Sequence, residues 1–177
     1  SISGVEAKTV VLARYKSRQV VRYVQKRYPN ISVLVEPAML DTGGAILQHW
    51  RVIREYAPEV VVVLNGDHLV RLPLQKLFQH YEEKKFPALL MVGIHSDEMH
   101  HDYMDLGSEK PLRKFHHRKS RMAYTGISVF RFDVLKERMD QLSLGPYNMT
   151  KDIVEWIHAQ HGGEYFLLEN EWDDLGT

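Results

Sequence analysis

Cysteine is absent from the 177-residue sequence, which excludes disulfides and thiolate zinc sites. No apolar run approaches the roughly 18 residues that a membrane-spanning helix needs. The first residues, 1–8, lack the charged and apolar regions of a signal peptide. From these absences we expect a soluble, cytoplasmic domain without a membrane partner.

A surplus of charge is also missing, since 23 basic residues balance 23 acidic ones. The chain therefore lacks the electrostatic character of a nucleic-acid-binding protein, and we expect no such partner. Walker-A and dinucleotide G-x-G-x-x-G patterns are absent as well. A local cluster of cations lies between residues 113 and 121. It is typical either of an exposed strand-and-loop surface or of a phosphate contact.

The composition is that of an ordinary globular protein, with 44% hydrophobic and 26% charged residues. No internal repeat, low-complexity segment or linker interrupts the chain. We therefore expect residues 1–177 to form one domain with a substantial core.

Short apolar segments, rich in β-branched residues, alternate with amphipathic ones in the first half of the chain. The predicted strands are Val10–Ala13, Ile31–Val35, Val60–Leu64 and Pro87–Ile94, and the predicted helices between them are Ser17–Tyr28, Gly44–Tyr56 and Leu74–Tyr81. Strands that are apolar on both faces are typical of a parallel sheet covered on both sides. The alternation predicts right-handed crossovers and a mostly parallel sheet.

The second half is less regular, with polar, histidine-rich sequence from Ser96 to Tyr124 that favours shorter strands. The elements predicted there and beyond are strands Leu112–Phe115, Ile127–Phe132 and Tyr165–Leu168, a helix Phe132–Leu142, and a helix containing Ile153–Ile157 with Thr150 as N-cap.

Asn65-Gly66-Asp67 follows the predicted strand Val60–Leu64 directly. A carboxylate just beyond a buried strand lies at the edge of the sheet where ligands bind, and it could hold a hard divalent cation. Gly66 would let the backbone and a ligand approach closely. Asn-Gly-Asp is equally good turn chemistry, so this motif alone leaves both interpretations open.

Two further segments carry polar groups that could face the same crevice. Thr42-Gly43-Gly44 opens a helix, and its amides favour an anionic ligand unless Thr42 is an ordinary N-cap. Asp173 and Asp174 lie in the last motif of the sequence, residues 172–177. A magnesium site uses one or two protein carboxylates, so an aspartate there could join Asp67, unless the pair is simply solvated.

Four motifs together resemble the sugar-1-phosphate nucleotidyltransferase family, the relatives of mannose-1-phosphate guanylyltransferase and glucose-1-phosphate thymidylyltransferase. Glu36 with residues 40–45 is similar to the base-recognition loop E-x-x-x-L-G-T-x-G-A, with Asp41 in place of the first glycine. Residues 62–67 resemble the strand that ends in the first metal-binding aspartate. Residues 124–130 resemble the sugar-side x-G-I-x-V-F strand, and residues 172–177 the W-x-D-I-G-T motif.

The resemblance implies a three-layer, Rossmann-like α/β fold with a mostly parallel mixed sheet. It implies Mg²⁺ or Mn²⁺ on Asp67 and Asp174, rather than Asp173, with a nucleoside triphosphate and a sugar-1-phosphate as substrates. The site residues implied are Glu36, Thr42, Gly43, Gly44, Asn65 and Gly66 for the nucleotide, and Thr125 and Gly126 for the sugar. The T-G-G wording is similar to guanylyl- and uridylyltransferases acting on mannose-, heptose- or N-acetylmuramic acid-1-phosphates. The base, the sugar and assembly into a homo-oligomer stay open.

One departure from the family concerns the sugar phosphate. The family's E-K-P motif should follow the strand ending at Phe115, where this chain has His116-His117-Arg118-Lys119. Glu109-Lys110-Pro111 spells the motif but lies earlier, in a predicted turn. We favour Arg118 over Lys110 as the catalytic phosphate contact.

The other departure concerns the phosphate-binding loop G-G-x-G-T-R-L, which follows the family's first strand and has no counterpart in residues 1–177. In the family fold that strand lies between those expected at Val10 and Val60. Its loss would bury two unpaired backbone edges, at about 1–3 kcal/mol for each polar group. We expect a missing segment, a strand from another polypeptide or a different closure of the sheet, and weak activity from this chain alone.

Two other functions fit parts of the pattern. A regulatory homologue could bind nucleotide-sugars without catalysis, although Asp67 and Asp174 are intact. A metal-dependent glycosyltransferase has a similar sheet but typically a D-x-D motif, whereas His68-Leu69 follows Asp67 here.

Overall fold

The computed structural model describes residues 6–94, 104–105, 116–117, 122–168 and 172–174. Its strands are β1 Val10–Ala13, β2 Ser32–Val35, β3 Val60–Val63, β4 His68–Val70, β5 Ala88–Ile94, β6 Met104–Asp105, β7 His116–His117, β8 Met122–Arg131, β9 Glu164–Leu168 and β10 Trp172–Asp174. Its helices are α1 Ser17–Arg27, α2 Asp41–Gln48, α3 Trp50–Glu55, α4 Leu74–Lys84, α5 Phe132–Asp140, a π-helix Met149–Val154 and α6 Glu155–His161.

The main sheet has the strand order β3-β8-β5-β9. Strand β8 is antiparallel to both β3 and β5, and β5 is parallel to β9. Three of the four strands therefore share one direction. The predicted mostly parallel, mixed α/β sheet is confirmed, with the antiparallel strand in an interior position.

Alternate residues of the sheet face two separate cores. Ala88 and Phe130 are fully buried in one core with α2, α3, α5, α6 and the π-helix, and their neighbours Leu89 and Val129 lie in the other with α4. Successive side chains of a strand point to opposite faces, so both faces of the sheet are covered by helices. This arrangement is the expected three-layer fold.

Strands β1 and β2 form a separate parallel pair. Within the described residues β1 pairs only with β2, and β3 pairs only with β8, so one backbone edge of each is left without a strand partner. Leu12 of β1 and Val61 of β3 nonetheless pack against the same core. This separation fits the expectation of a strand between them. Whether such a strand exists, and what supplies it, stays a prediction.

Several boundaries differ from the expectations. The helix expected over Gly44–Tyr56 is two helices separated by a turn at His49. Thr150 is not an N-cap: Asn148 occupies that position, and its side chain accepts a hydrogen bond from the Lys151 amide. The predicted strand Leu112–Phe115 lies outside the described residues. Strands β4 and β10 were not anticipated. Among the described helices, none combines the length and apolar character needed to cross a membrane.

Candidate functional site

Asp67 lies in the turn that joins β3 to β4. Its side chain is 60% exposed, and the preceding Gly66 is exposed too. A Cβ added to Gly66 would meet no atom within 4 Å, and its φ is not positive. The fold therefore gives no steric reason for glycine here, and the turn is open on the side where a ligand could approach.

Strand β10 brings the last motif of the chain to this turn. It pairs antiparallel with β4, so that Asp174 lies directly opposite His68 and Asp173 opposite Leu69. Opposite residues in such a pair have Cα atoms about 4.5–5.5 Å apart. Asp174 is consequently beside the residue that follows Asp67, and the pairing brings the backbones of the two sequence-predicted metal ligands to the same turn.

The sugar-side motif forms a bulge in β8 beside the same turn. Leu90 of β5 pairs with Ser128 of β8, and Val92 pairs with Tyr124. Two steps along β5 therefore correspond to four steps along β8, and the extra residues of β8 form the bulge. Gly126 sits in the bulge with φ 74°. A Cβ on Gly126 would lie 2.3 Å from the Asn65 Nδ2 atom and 3.0 Å from the His68 Cε1 atom. Gly126 thus lets β8 approach the turn that carries Asp67, as bulges near functional sites do.

The bulge also brings Tyr124 and Ser128 together, and their hydroxyl groups form a hydrogen bond. Burial of the phenol raises the pKa of Tyr124 to about 12, and the bond to Ser128 offsets this only in part. Tyr124 therefore stays protonated at neutral pH. Thr125 is fully buried. A contact of Thr125 or Gly126 with a sugar stays a prediction.

His68 was missed as a site residue by the sequence analysis. Its side chain is only 7% exposed, and its Nε2 atom lies 3.6 Å from the Asp67 Oδ1 atom, in ion-pair range but beyond hydrogen-bond distance. It also packs against Gly126 and lies opposite Asp174. The sequence does show a histidine directly after Asp67, but it gives no sign that this side chain is buried. The burial follows from the position of His68 in strand β4, which the sequence did not predict.

The segment that resembles a base-recognition loop, Glu36 with residues 40–45, follows β2 of the separate two-stranded sheet. The Glu36 amide donates to the Ala13 carbonyl oxygen at 3.0 Å, which extends the β1–β2 ladder to the predicted nucleotide contact. The helix α2 begins at Asp41, so Thr42 lies inside its first turn and is not the N-cap. Instead, the Asp41 carboxylate accepts a hydrogen bond from the Thr42 amide at 2.7 Å.

Gly43 and Gly44 are buried against the segment 145–147. A Cβ on Gly43 would lie 2.7 Å from the Tyr147 carbonyl oxygen, and one on Gly44 would lie 2.3 Å from the Gly145 carbonyl oxygen. The Gly44 amide donates to the Tyr147 carbonyl at 3.2 Å. Both glycines therefore permit close packing at the start of α2. Their contact with a nucleotide stays a prediction, as do those of Glu36, Thr42, Asn65 and Gly66.

The donor set fits a magnesium or manganese ion. Two carboxylates carried to one turn, Asp67 before β4 and Asp174 on the strand paired with it, suit a hard cation that fills its other positions with phosphate oxygens and water. Within the described part of the chain, no cluster of three or more His, Cys, Asp or Glu side chains could hold a metal without such help. The predicted phosphate contacts Arg118 and Lys110 lie outside the described residues.

Relatives found by sequence include glucose-1-phosphate adenylyltransferases. Glucose-1-phosphate adenylyltransferase of Bacillus cereus is 25% identical over 147 residues, covering 77% of this chain and 39% of that protein. The enzyme of the same name from Clostridium botulinum is 28% identical over 147 residues, covering 77% and 38%. The chain thus spans about two fifths of the length of the curated relatives it matches.

Comparison with solved structures finds proteins that share the fold of this chain. HddC from Yersinia pseudotuberculosis, in a crystal structure complexed with GMP-PN, superposes with a TM-score of 0.70 over 95% of this chain and 72% of that one, at 16% identity. A further crystal structure of HddC gives 0.71 over 98% and 74%. A model of the nucleotidyl transferase family matches residues 1–177. The chain therefore belongs to the nucleotidyl transferase family, and its resemblance to the sugar-1-phosphate nucleotidyltransferases is confirmed.

Proposed function

We propose that this protein joins a sugar-1-phosphate to a nucleoside triphosphate, making a nucleotide-sugar and pyrophosphate with Mg²⁺ or Mn²⁺. The observation that carries the proposal is the register of β4 and β10, which sets Asp174 opposite the residue that follows Asp67. Membership of the family and the adenylyltransferase relatives support the same reaction class.

In the proposed reaction an oxygen of the sugar phosphate attacks the α-phosphorus of the nucleoside triphosphate. The bond between the α-phosphorus and the bridging oxygen breaks, and pyrophosphate leaves with that oxygen's electron pair. A bound divalent cation supplies neutralisation of the charge that builds on the phosphates. Asp67 and Asp174 would hold it, so the protein would contribute position and charge, and no side-chain nucleophile would be needed.

The remaining residues are proposed to hold the two substrates. Glu36 and the start of α2 would bind the nucleoside, and the exposed Gly66 would let its phosphates approach the backbone. The β8 bulge at Gly126 would face the sugar, and Arg118 its phosphate. The relatives are named for adenylyl transfer and the structural neighbour was complexed with GMP-PN, so the base is left to experiment.

The experiment is a matrix of the common nucleoside triphosphates against hexose-, heptose- and amino-sugar-1-phosphates, with and without Mg²⁺. We expect one pair to yield nucleotide-sugar and pyrophosphate in equal amounts, and chelation with EDTA to stop both. Nucleotide-sugar hydrolysis without synthesis would favour a glycosyltransferase. Binding of nucleotide-sugar without turnover would favour a regulatory homologue.

Gly66→Ala tests the approach of the ligand to the turn. Because nothing lies within 4 Å of the added Cβ, we expect the melting temperature to stay within about 1 °C of the wild type. A phosphate displaced by the methyl group should lower kcat/KM by about tenfold to a hundredfold. Steady-state kinetics and thermal unfolding of the same preparation measure both. Unchanged kcat/KM would show that the substrate does not pass over Gly66.

A further inference from the structure

The start of α2 is docked on a second segment, residues 145–148, which precedes the π-helix. The Tyr147 amide donates to the Leu40 carbonyl oxygen at 3.0 Å, and the Gly44 amide donates to the Tyr147 carbonyl at 3.2 Å. These two bonds run in opposite directions between the segments, as in a short ladder. The conformation of the base-recognition loop therefore depends on a part of the chain far away in sequence.

Asn148 connects the two segments through both ends of its side-chain amide. Its Oδ1 atom accepts a hydrogen bond from the Lys151 amide at 3.0 Å and so caps the π-helix. Its Nδ2 atom donates to the Asp41 Oδ2 atom at 3.2 Å. The backbone amide of Asn148 in turn donates to the Asp152 carboxylate at 2.7 Å. Asn148 is consequently fixed by the helix that it caps.

Asp41 has a backbone conformation that the hydrogen bond from Asn148 can stabilise. Its φ is 57°, in the left-handed region that side chains other than glycine enter at a cost. One of its carboxylate oxygens accepts from the Thr42 amide and the other from Asn148. Asp41 stands where the base-recognition loop it resembles has glycine, which would need no support for this conformation.

We infer that Asn148 is a positioning residue for nucleotide binding: it holds Asp41 in the left-handed conformation and thereby sets the base-recognition loop at the start of α2. The inference rests on the proposed function for its kinetic consequence. Asn148 touches the loop and not the reacting atoms, so its removal should alter affinity for the nucleotide more than the rate of transfer.

Asn148→Ser separates the two contacts of the side chain. Serine is as good an N-cap as asparagine, but it is too short to reach Asp41. In the full-length protein we expect this variant to raise the KM for the nucleoside triphosphate about fivefold to thirtyfold, because a charge-assisted hydrogen bond is lost. We expect kcat to stay within about twofold and the melting temperature within about 2 °C.

Asp41→Gly supplies the matched background. Glycine adopts the left-handed conformation unaided, so adding Asn148→Ser to Asp41→Gly should leave KM unchanged within about twofold. An equal rise in KM in both backgrounds, or no rise in either, would overturn the inference. A fall in kcat and melting temperature without a change in KM would do so as well, because it would show a merely structural role.

Hydrogen exchange of the amides of residues 41–47 gives a measurement that needs no substrate. Exchange should be faster in Asn148→Ser than in the wild type, and the Asp41→Gly background should remove most of the difference. Equal exchange would overturn the inference even in a protein without turnover. Absence of wild-type turnover, by contrast, would count against the proposed function alone.

Discussion

Asp67→Asn should lower kcat by about 10³-fold and leave the fold intact, because asparagine removes the charge that holds the cation at the developing phosphate charge. The side chain is 60% exposed, and the only ion-pair contact that the described residues make with it is the Nε2 atom of His68 at 3.6 Å. Little stability can therefore depend on it. Steady-state kinetics at saturating Mg²⁺, with circular dichroism and thermal unfolding, check both halves of this prediction.

The neighbouring aspartates of β10 supply the control. Asp174→Asn should lose as much activity as Asp67→Asn, because both are proposed to hold the cation and Asp174 lies opposite the residue that follows Asp67. Asp173→Asn removes the same charge from the same strand, one residue away and opposite Leu69, and it should stay within about threefold of the wild type. Loss of activity in Asp173→Asn with retention in Asp174→Asn would contradict the assignment.

Gly44→Ala should destabilise the protein by about 2–4 kcal/mol, which corresponds to a fall of about 5–15 °C in melting temperature. The added Cβ would lie 2.3 Å from the Gly145 carbonyl oxygen and 2.9 Å from the Leu40 Cβ atom. Relief of these overlaps requires α2 to move away from residues 145–147, which also breaks the hydrogen bond from the Gly44 amide. The better helix propensity of alanine offsets only about 1 kcal/mol.

Gly66→Ala is the matched control for this prediction, because it adds the same methyl group at a position without neighbours. Urea unfolding of the two variants should show a large loss for Gly44→Ala and none for Gly66→Ala. A Gly44→Ala variant as stable as the wild type would contradict the close packing of α2 on the segment 145–147.

The elements that the sequence predicted well are those whose burial is set by their own residues. Val60–Val63 is apolar on both faces because both cores touch it, and a continuous valine run is what such a strand requires. Ser17–Arg27 presents one apolar stripe, so its helical spacing is visible in the sequence. The strand Val10–Ala13, a short run of apolar residues, was also predicted with its observed bounds.

The features that the sequence did not predict depend on contacts between distant segments. Strand β4 has three residues, too few for a periodic pattern, and it exists because β10 pairs with it. The position of β8 between β3 and β5 is a property of the whole sheet. The cap at Asn148 was missed because Thr150 is also a capping residue type, and only the hydrogen bond from the Lys151 amide identifies Asn148 as the cap.

The candidate site also combines features that the sequence predicted with features that depend on contacts between distant segments. Asp67 and Asp174 were predicted from motifs, and only the pairing of β4 with β10 shows that their backbones come close together. The part played by His68 and the β8 bulge became visible only in the structure. Gly126 has a positive φ and lies close to Asn65 and His68, and neither feature can be read from the sequence of β8. The sequence therefore allowed candidate residues to be named, whereas the packing around them became known only from the structure.

The affinity for Mn²⁺, measured by electron paramagnetic resonance in the presence of the nucleoside triphosphate that supports turnover, tests most directly whether the two aspartates form one metal site. We expect Asp67→Asn and Asp174→Asn each to weaken binding at least about tenfold. The double variant should bind little more weakly than either single variant, because residues that share one ligand are not additive. Wild-type affinity in Asp174→Asn, or full additivity in the double variant, would contradict a shared site.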